Sequence, residues 1–281
     1  VPDSTTLKTA AARLVSIPLE VPGARKAKTL GLRANLQNRR RFSTGLEYFI
    51  PGGYAGLYVV ESLYTAIAYP GLWPAAKIRE LVDLWATSYR PAQHDVAIRT
   101  FDGSTFDYDL DWAVGKTEMD AQASFALLVA LCIERGDSTV WSAHGAKVVG
   151  CLDALPRSGG LLYSTPGAPT PGWSYYDSIL LTGGSTMISA YAALAYTRLA
   201  ILADPSLMAQ ANSLIAGLET VKRSDGYWSA STIQTLADVS ATAFIAAHGL
   251  CSTADQLTAG AALAKDYRAG IISHRGGMRA L

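Results

Sequence analysis

Charge is scarce in this sequence. Asp, Glu, Lys and Arg make up 17% of its 281 residues, and 24 basic groups against 23 acidic ones leave a net charge of +1. That balance gives no general attraction to nucleic acid or to an anionic membrane surface, so neither partner is expected. Long apolar runs are also lacking. A bilayer span needs about 18 or more consecutive apolar residues. The closest stretch, 185–203, is broken by Ser185, Thr186, Ser189, Thr197 and Arg198, so no membrane span is expected. Cysteine is limited to Cys132, Cys151 and Cys251. An odd number without Cys-x-x-Cys spacing reads as three buried free thiols, not as a disulfide framework or a zinc site. His94, His144, His248 and His274 are dispersed. No nucleotide loop, His-Glu-x-x-His motif or Gly-x-Ser-x-Gly elbow is present. Neither a metal site nor a cofactor is expected.

What the sequence does have is a helical period. Residues 54–69, 119–134, 185–203 and 237–250 are apolar nearly all the way round. Each is followed by a more amphipathic stretch, at 74–89, 138–154, 205–222 and 254–269. A helix apolar on every side must be enclosed by protein, whereas an amphipathic one can face water. The alternation predicts an all-α fold of four helical hairpins, inner helices ringed by outer ones: an α/α toroid. The turns inside each pair are short (Tyr69-Pro70-Gly71-Leu72-Trp73, Arg135-Gly136-Asp137), and the links between pairs are long. Short turns are therefore expected on one face and functional loops on the other.

Residues 1–45 read as a separate basic arm, with nine Lys or Arg against Asp3 and Glu20, leaving 46–281 for the toroid. The arm is either a solvated strap across the domain or a contact to an acidic partner, a second copy or a larger assembly. In the first long link, Val96–Phe101 and Thr105–Leu110 flank Asp102-Gly103-Ser104. Two β-forming runs around Asp-Gly predict a small β-hairpin on the loop face.

Carboxylates and aromatics dominate the chemistry available on that face. Asp107, Asp109, Asp111, Glu118 and Asp120 precede or open the second inner helix; Asp177 precedes the third; Asp225 and Asp238 flank the fourth. Trp112, Trp173, Tyr176 and Trp228 recur in the same links. Hydrolysis of a glycosidic bond needs this inventory: one carboxylic acid protonates the leaving oxygen, a second carboxylate activates water or attacks, and rings pack against sugar faces. Asp is also a common loop and N-cap residue, so each of these carboxylates has a structural reading beside the catalytic one.

Residues 118–155 (Glu-Met-Asp-Ala-Gln-Ala-Ser-Phe-Ala-Leu-Leu, Glu-Arg-Gly-Asp, Cys-Leu-Asp-Ala-Leu) and 160–203 (Gly-Leu-Leu-Tyr, Pro-Gly-Trp-Ser-Tyr-Tyr-Asp-Ser, Thr-Gly-Gly) resemble stretches of the six-hairpin glycosidases. The likeness is to the debranching-enzyme, trehalase and rhamnosidase-like branches. Phe42-Ser43-Thr44-Gly45 and the helix from Tyr54 resemble the family's first inner helix, so the resemblance spans about 42–270. It implies that Asp177, in the Trp- and Asp-containing motif, is the general acid. Asp225-Gly226-Tyr227-Trp228 with 238–250 is similar to the unsaturated glucuronyl hydrolase branch, which implies a catalytic role for Asp120. Two departures stand out. Tyr54-Ala55-Gly56-Leu57 replaces the Arg-Asp pair often found at the first inner helix, and four hairpins are legible where the family has six.

The expectation is thus a glycoside hydrolase of carbohydrate metabolism on an incomplete or reduced six-hairpin ring. Asp177 is the expected acid, Asp120 its leading partner, and Asp111 and Asp225 are reserves. Trp112, Trp173, Tyr176 and Trp228 are expected to line sugar subsites. An acid–partner separation of about 6.5–9.5 Å implies inversion and about 5 Å implies retention. The rival expectation is a non-catalytic toroid that binds glycan or serves as a structural module of a virion or surface complex. A diphosphate-using ring enzyme would need an acidic metal cluster that the spacing does not provide.

Overall fold

The structure is a computed structural model that describes residues 39–43, 45–49, 56–68, 70–108, 118–166, 181–269, 273–274 and 277–278. Most of the basic arm lies outside these residues. Its end does not. Strand β1 (Arg39–Arg41) pairs antiparallel with β2 (Glu47–Phe49), and Phe42 stacks on Tyr48 at 4.0 Å, both rings buried. The boundary expected at residue 45 therefore falls within the turn of a hairpin.

Among the described residues, four helical hairpins follow. They are α1 (Val59–Ala68) with α2 (Ala75–Thr87), α3 (Met119–Glu134) with α4 (Thr139–Asp153), α5 (Thr186–Leu202) with α6 (Met208–Glu219), and α7 (Val239–Ala247) with α8 (Thr253–Arg268). The inner helices pack in chain order, α1 on α3, α3 on α5 and α5 on α7; α4, α6 and α8 pack back on their own inner partners, while α2 packs mainly on α3. The architecture is an α/α toroid of helical hairpins.

Burial follows the sequence pattern. Every residue of α3 from Met119 to Cys132 is buried, and so is α5 from Thr186 to Tyr196. The outer helix α2 buries one stripe, Ile78, Leu81, Val82 and Trp85, and pairs Lys77 with Glu80 at 2.9 Å on its wet face. The outer helices can show one face to water because only one stripe of them is apolar. The flanking inner helices are less enclosed: Ile67 on α1 is 47% exposed, and Phe244 on α7 is half-buried.

Two helix starts differ from the sequence expectation for the same reason. The residues expected to open helices at 54 and 237 are used partly as strand. Strand β3 (Leu57–Tyr58) pairs with β4 (Arg99–Thr100), which pairs with β5 (Phe106–Asp107). The expected β-hairpin is therefore present, joined by the five residues 101–105 and extended by a third strand. Further along, β6 (Arg157–Ser158), β7 (Leu161–Ser164) and β8 (Gly183–Gly184) form a sheet ahead of α5. Strands β9 (Trp228–Ser229) and β10 (Ala237–Asp238) pair ahead of α7. Short antiparallel pairs thus stand where the long links meet the inner-helix N-termini, which defines the loop face.

A buried polar residue occupies the fourth position of every inner helix: Ser62, Gln122, Ser189 and Thr242, none more than 2% exposed. Three of them tie the helix to the strand-bearing link before it. The Gln122 amide accepts from Val96 N–H at 2.8 Å and donates to Val96 C=O at 3.1 Å. Ser189 Oγ accepts from Leu162 N–H at 2.9 Å, and Thr242 Oγ1 accepts from Trp228 N–H at 3.0 Å. Ser62 instead donates to Tyr58 C=O, one turn back. Buried backbone groups need partners, and these side chains supply them where helix and strand geometries meet.

Candidate functional site

The loop face gathers the N-terminal ends of α1, α3, α5 and α7, each carrying the positive end of a helix dipole. Carboxylates stand at three of the four. Glu61 is in the first turn of α1 and is half-buried. Glu118 is the N-cap of α3, Asp120 lies in its first turn, and both are buried at 2% and 0% exposure. Asp238 is the N-cap of α7, its Oδ1 accepting from Ala241 N–H at 2.8 Å. An anion at such an end is stabilised by the dipole and by otherwise orphaned N–H groups. Glu61 was passed over in the sequence, although it meets the criterion that selected Asp120: an acidic residue opening an inner helix.

Asp120 is held in a stiff frame. It lies two residues before Gln122, whose amide clamps Val96, and Gln122 Nε2 also donates back to Glu118 C=O at 3.4 Å. The clamped link is itself fixed, because Ala97 N–H donates to Ser88 Oγ at 3.0 Å. Arg90 pairs with Asp95 at 2.5 Å and lies 3.7 Å over the Tyr108 ring. The start of α3 is thus set by side-chain contacts from both directions.

The other described candidates are placed differently. Asp225 sits in an exposed turn, paired with Arg223 at 2.7 Å and accepting from Tyr227 N–H. Hydrogen bonding and charge from Arg223 hold its carboxyl below the usual range, which suits a turn anchor and not a proton donor. Trp228 is 1% exposed and donates its indole N–H to Leu218 C=O at 3.1 Å. Its ring belongs to the core and offers no face to a sugar, which corrects the expected subsite role. Asp107 is a cross-strand partner of Arg99, at 2.9 Å. Asp111, Trp112, Trp173, Tyr176 and Asp177 lie outside the described residues.

Among the described residues, no three His, Cys, Asp or Glu side chains stand together in a way that could hold a metal ion, and no helix is long and apolar enough to cross a membrane. All three cysteines are free. Burial pushes the Cys132 thiol up to about 11 and the Cys251 thiol up to about 12. Cys132 and Cys151 are buried as expected, while Cys251 is half-buried in the α7–α8 turn. Histidines 144 and 248 have structural partners. His144 Nε2 lies 2.6 Å from Asp83 Oδ1 between α4 and α2, and His248 packs on Phe244 at 4.3 Å.

No protein-family model matches the chain, and no curated protein matches it in sequence. Solved structures do match in fold. A glycosidase variant in complex with glucose aligns with a TM-score of 0.61 at 17% identity, covering 100% of this chain and 74% of that one. A rhamnosidase from Klebsiella oxytoca with rhamnose bound aligns at 0.57 and 11% identity, covering 75% of this chain and 42% of that one. A metal-independent alpha-mannosidase of Streptococcus pneumoniae, in a non-productive complex with alpha-1,6-mannobiose, aligns at 0.51 and 15%, covering 95% and 75%. The chain thus spans less than half of the rhamnosidase and about three quarters of the other two. Its fold is thus similar to that of the six-hairpin glycosidases, as the sequence resemblance implied, with four hairpins among the described residues.

Proposed function

We propose that this chain acts on carbohydrate as a glycoside hydrolase, cleaving a glycosidic bond in an oligo- or polysaccharide by carboxylate acid–base chemistry. The observation that carries this reading is Asp120. It is a carboxylate in the first turn of a fully enclosed inner helix, on the face where the inner-helix N-termini gather, and it is braced through Gln122. The glycosidase-like fold supports it, as do the matched structures, whose ligands include glucose, rhamnose and a mannobiose. In this reading Asp177 is the general acid and Asp120 its partner. Asp111 is a reserve, and Trp112, Trp173 and Tyr176 are sugar-binding aromatics. Asp225 is the weakest member of the set, because it is spent on Arg223.

The test is product release from a broad panel of oligosaccharides and acidic polysaccharides by wild type, Asp177→Asn and Asp120→Asn. Loss of a positioned acid or base typically costs about 10²- to 10⁴-fold in rate. Wild-type turnover with a fall of that size in Asp177→Asn is expected. Normal turnover in Asp177→Asn sinks the assignment of the acid.

One observation favours the second reading, a toroid that binds glycan or serves as a structural module without cleaving. Asp120 is 0% exposed and Trp228 1% exposed, so in this state neither is reached by a ligand. Glycan binding by wild type, with no product from any substrate, would select that reading.

A further inference from the structure

The large apolar side chains that stand in water are unevenly spread. Among the described residues they are Ile67, Phe101, Ile233, Leu236, Leu257 and Tyr267. All belong to the first and fourth hairpins or to the links beside them, and none to the stretch 119–219. The row of inner helices is open at these two ends. Packing runs from α1 through α3 and α5 to α7, and among the described residues no comparable packing joins α7 back to α1. Each end helix therefore keeps one uncovered side. On α7 it holds Ser240, Ala243, Phe244 and Ala247, at the i, i+3, i+4, i+7 spacing of a single helix face. Ser240 and Ala247 are exposed, and the two between them are half-buried. On α1 it holds Glu61, Tyr64, Ile67 and Ala68, with Ile67 47% exposed. Glu61 is the one charge on either side. Apolar and small residues at helical spacing form a packing face, and here no helix among the described residues fills it.

We propose that residues 5–15 of this same chain occupy the open side between α1 and α7 and touch both helices. Sequence, place and charge select this segment over a second copy. Behind Ser4, the residues Leu7, Ala10, Ala11, Leu14 and Val15 recur at i, i+3, i+4, i+7 and i+8, with Lys8, Thr9 and Arg13 between them. That is the pattern of an amphipathic helix with one apolar face to bury. The chain also enters at the right end. Strand β1 begins at Arg39 and pairs with β2, which packs on α1. Residues 16–38 are long enough to carry 5–15 past the roughly 10 Å that separates packed helices. A segment ahead of α1 in sequence and beside it in space continues the chain-order packing of the other inner helices. Charge agrees as well. Residues 1–38 hold Lys8, Arg13, Arg25, Lys26, Lys28 and Arg33 against Asp3 and Glu20, and the one charge on the uncovered sides is the acidic Glu61.

Photo-crosslinking of the full chain tests this. The photoreactive residue p-benzoylphenylalanine replaces Ile67 in one variant and Ala247 in another, both exposed positions that accept a larger side chain. Mass spectrometry identifies the crosslinked peptides, and the mass of each product separates a crosslink within one chain from one between two. The expected result is capture of a peptide from residues 5–15 at both positions, in products of single-chain mass. Leu7→Asp combined with Leu14→Asp is expected to lower both yields by about tenfold or more, since an apolar face does not take two carboxylates, while far-ultraviolet circular dichroism is unchanged. Products of two-chain mass overturn the proposal in favour of a second copy. Capture of residues 5–15 at neither position, or at only one, overturns the closing of the gap. Undiminished capture in the Leu7→Asp, Leu14→Asp variant overturns the assigned face.

Discussion

Replacing Gln122 by Leu should destabilise the protein more than its single side chain suggests. Gln122 is 2% exposed, and its amide closes two hydrogen bonds on one residue, Val96, which is 0% exposed. Leu fits the volume but satisfies neither group, so a buried N–H and a buried C=O lose their partner. Each buried polar group left unsatisfied costs about 1–3 kcal/mol. Two of them, set against the easier burial of Leu than of an amide, give a net loss of about 2–5 kcal/mol. With a urea dependence of about 4 kcal/mol per M for a chain of this size, the midpoint should fall by about 0.5–1.25 M. Circular dichroism and tryptophan fluorescence should report the same midpoint if unfolding is two-state. Hydrogen exchange adds a local reading, since the Val96 amide should lose protection before the amides of α3. A midpoint within about 0.2 M of wild type, with Val96 still protected, would refute the claim that the clamp holds the link to the helix.

Close packing at one glycine and burial of one histidine set two further outcomes. Gly217→Ala on α6 would place a methyl carbon 2.2 Å from Gly160 C=O. That contact forces backbone apart and should cost about 2–3 kcal/mol, lowering the Tm by about 3–5 °C; an unchanged or raised Tm in a thermal melt would refute the claim that α6 and the Gly160 turn have no room for a methyl group. Burial, with Arg198 nearby, pushes the His248 imidazole down to about 4 from its ordinary 6.5. The unfolded chain therefore takes up that proton first as pH falls. The stability held by the neutral ring is complete above pH 6.5 and is lost between 6.5 and 4, by about 2–3 kcal/mol. Urea melts of wild type and His248→Asn across that window check it: the wild-type decline should be steeper, and parallel curves would contradict the buried neutral histidine.

Much of the fold was legible because enclosure leaves a mark on composition. A helix such as α3, buried from Met119 to Cys132, tolerates almost no charge, whereas α2 needs one only on the face opposite Ile78, Leu81, Val82 and Trp85. The helix starts were less legible. Leu57–Tyr58 and Ala237–Asp238 are as apolar or as cap-like as helix residues, and what makes them strands is their pairing with residues 99–100 and 228–229, distant in sequence. The site was harder still. Asp225 and Asp120 look alike as acidic residues near inner helices, but Arg223, two residues upstream, occupies the first. That arginine was the one local signal that could have separated them. Trp228 reads as a loop aromatic and turns out to be core, because its strand lies over Leu218 of α6.

The fourth-position residues explain how such a fold can carry long, varied links without losing the geometry of its inner helices. Ser189 and Thr242 each accept one backbone N–H, and Gln122 satisfies a whole peptide position. Each is buried, so the bond is not exchanged for water, and each sits one turn inside the helix. The link is therefore gripped near its helix end, while the residues further out are free to differ. For α3 the consequence is functional as well as structural. Asp120 and Gln122 are two residues apart on one rigid turn, so a link that shifts Val96 must either break the clamp or carry the start of the helix with it. The carboxylate is positioned by the fold from behind and by the link from in front. A loss of the clamp should thus move Asp120 before it unfolds α3.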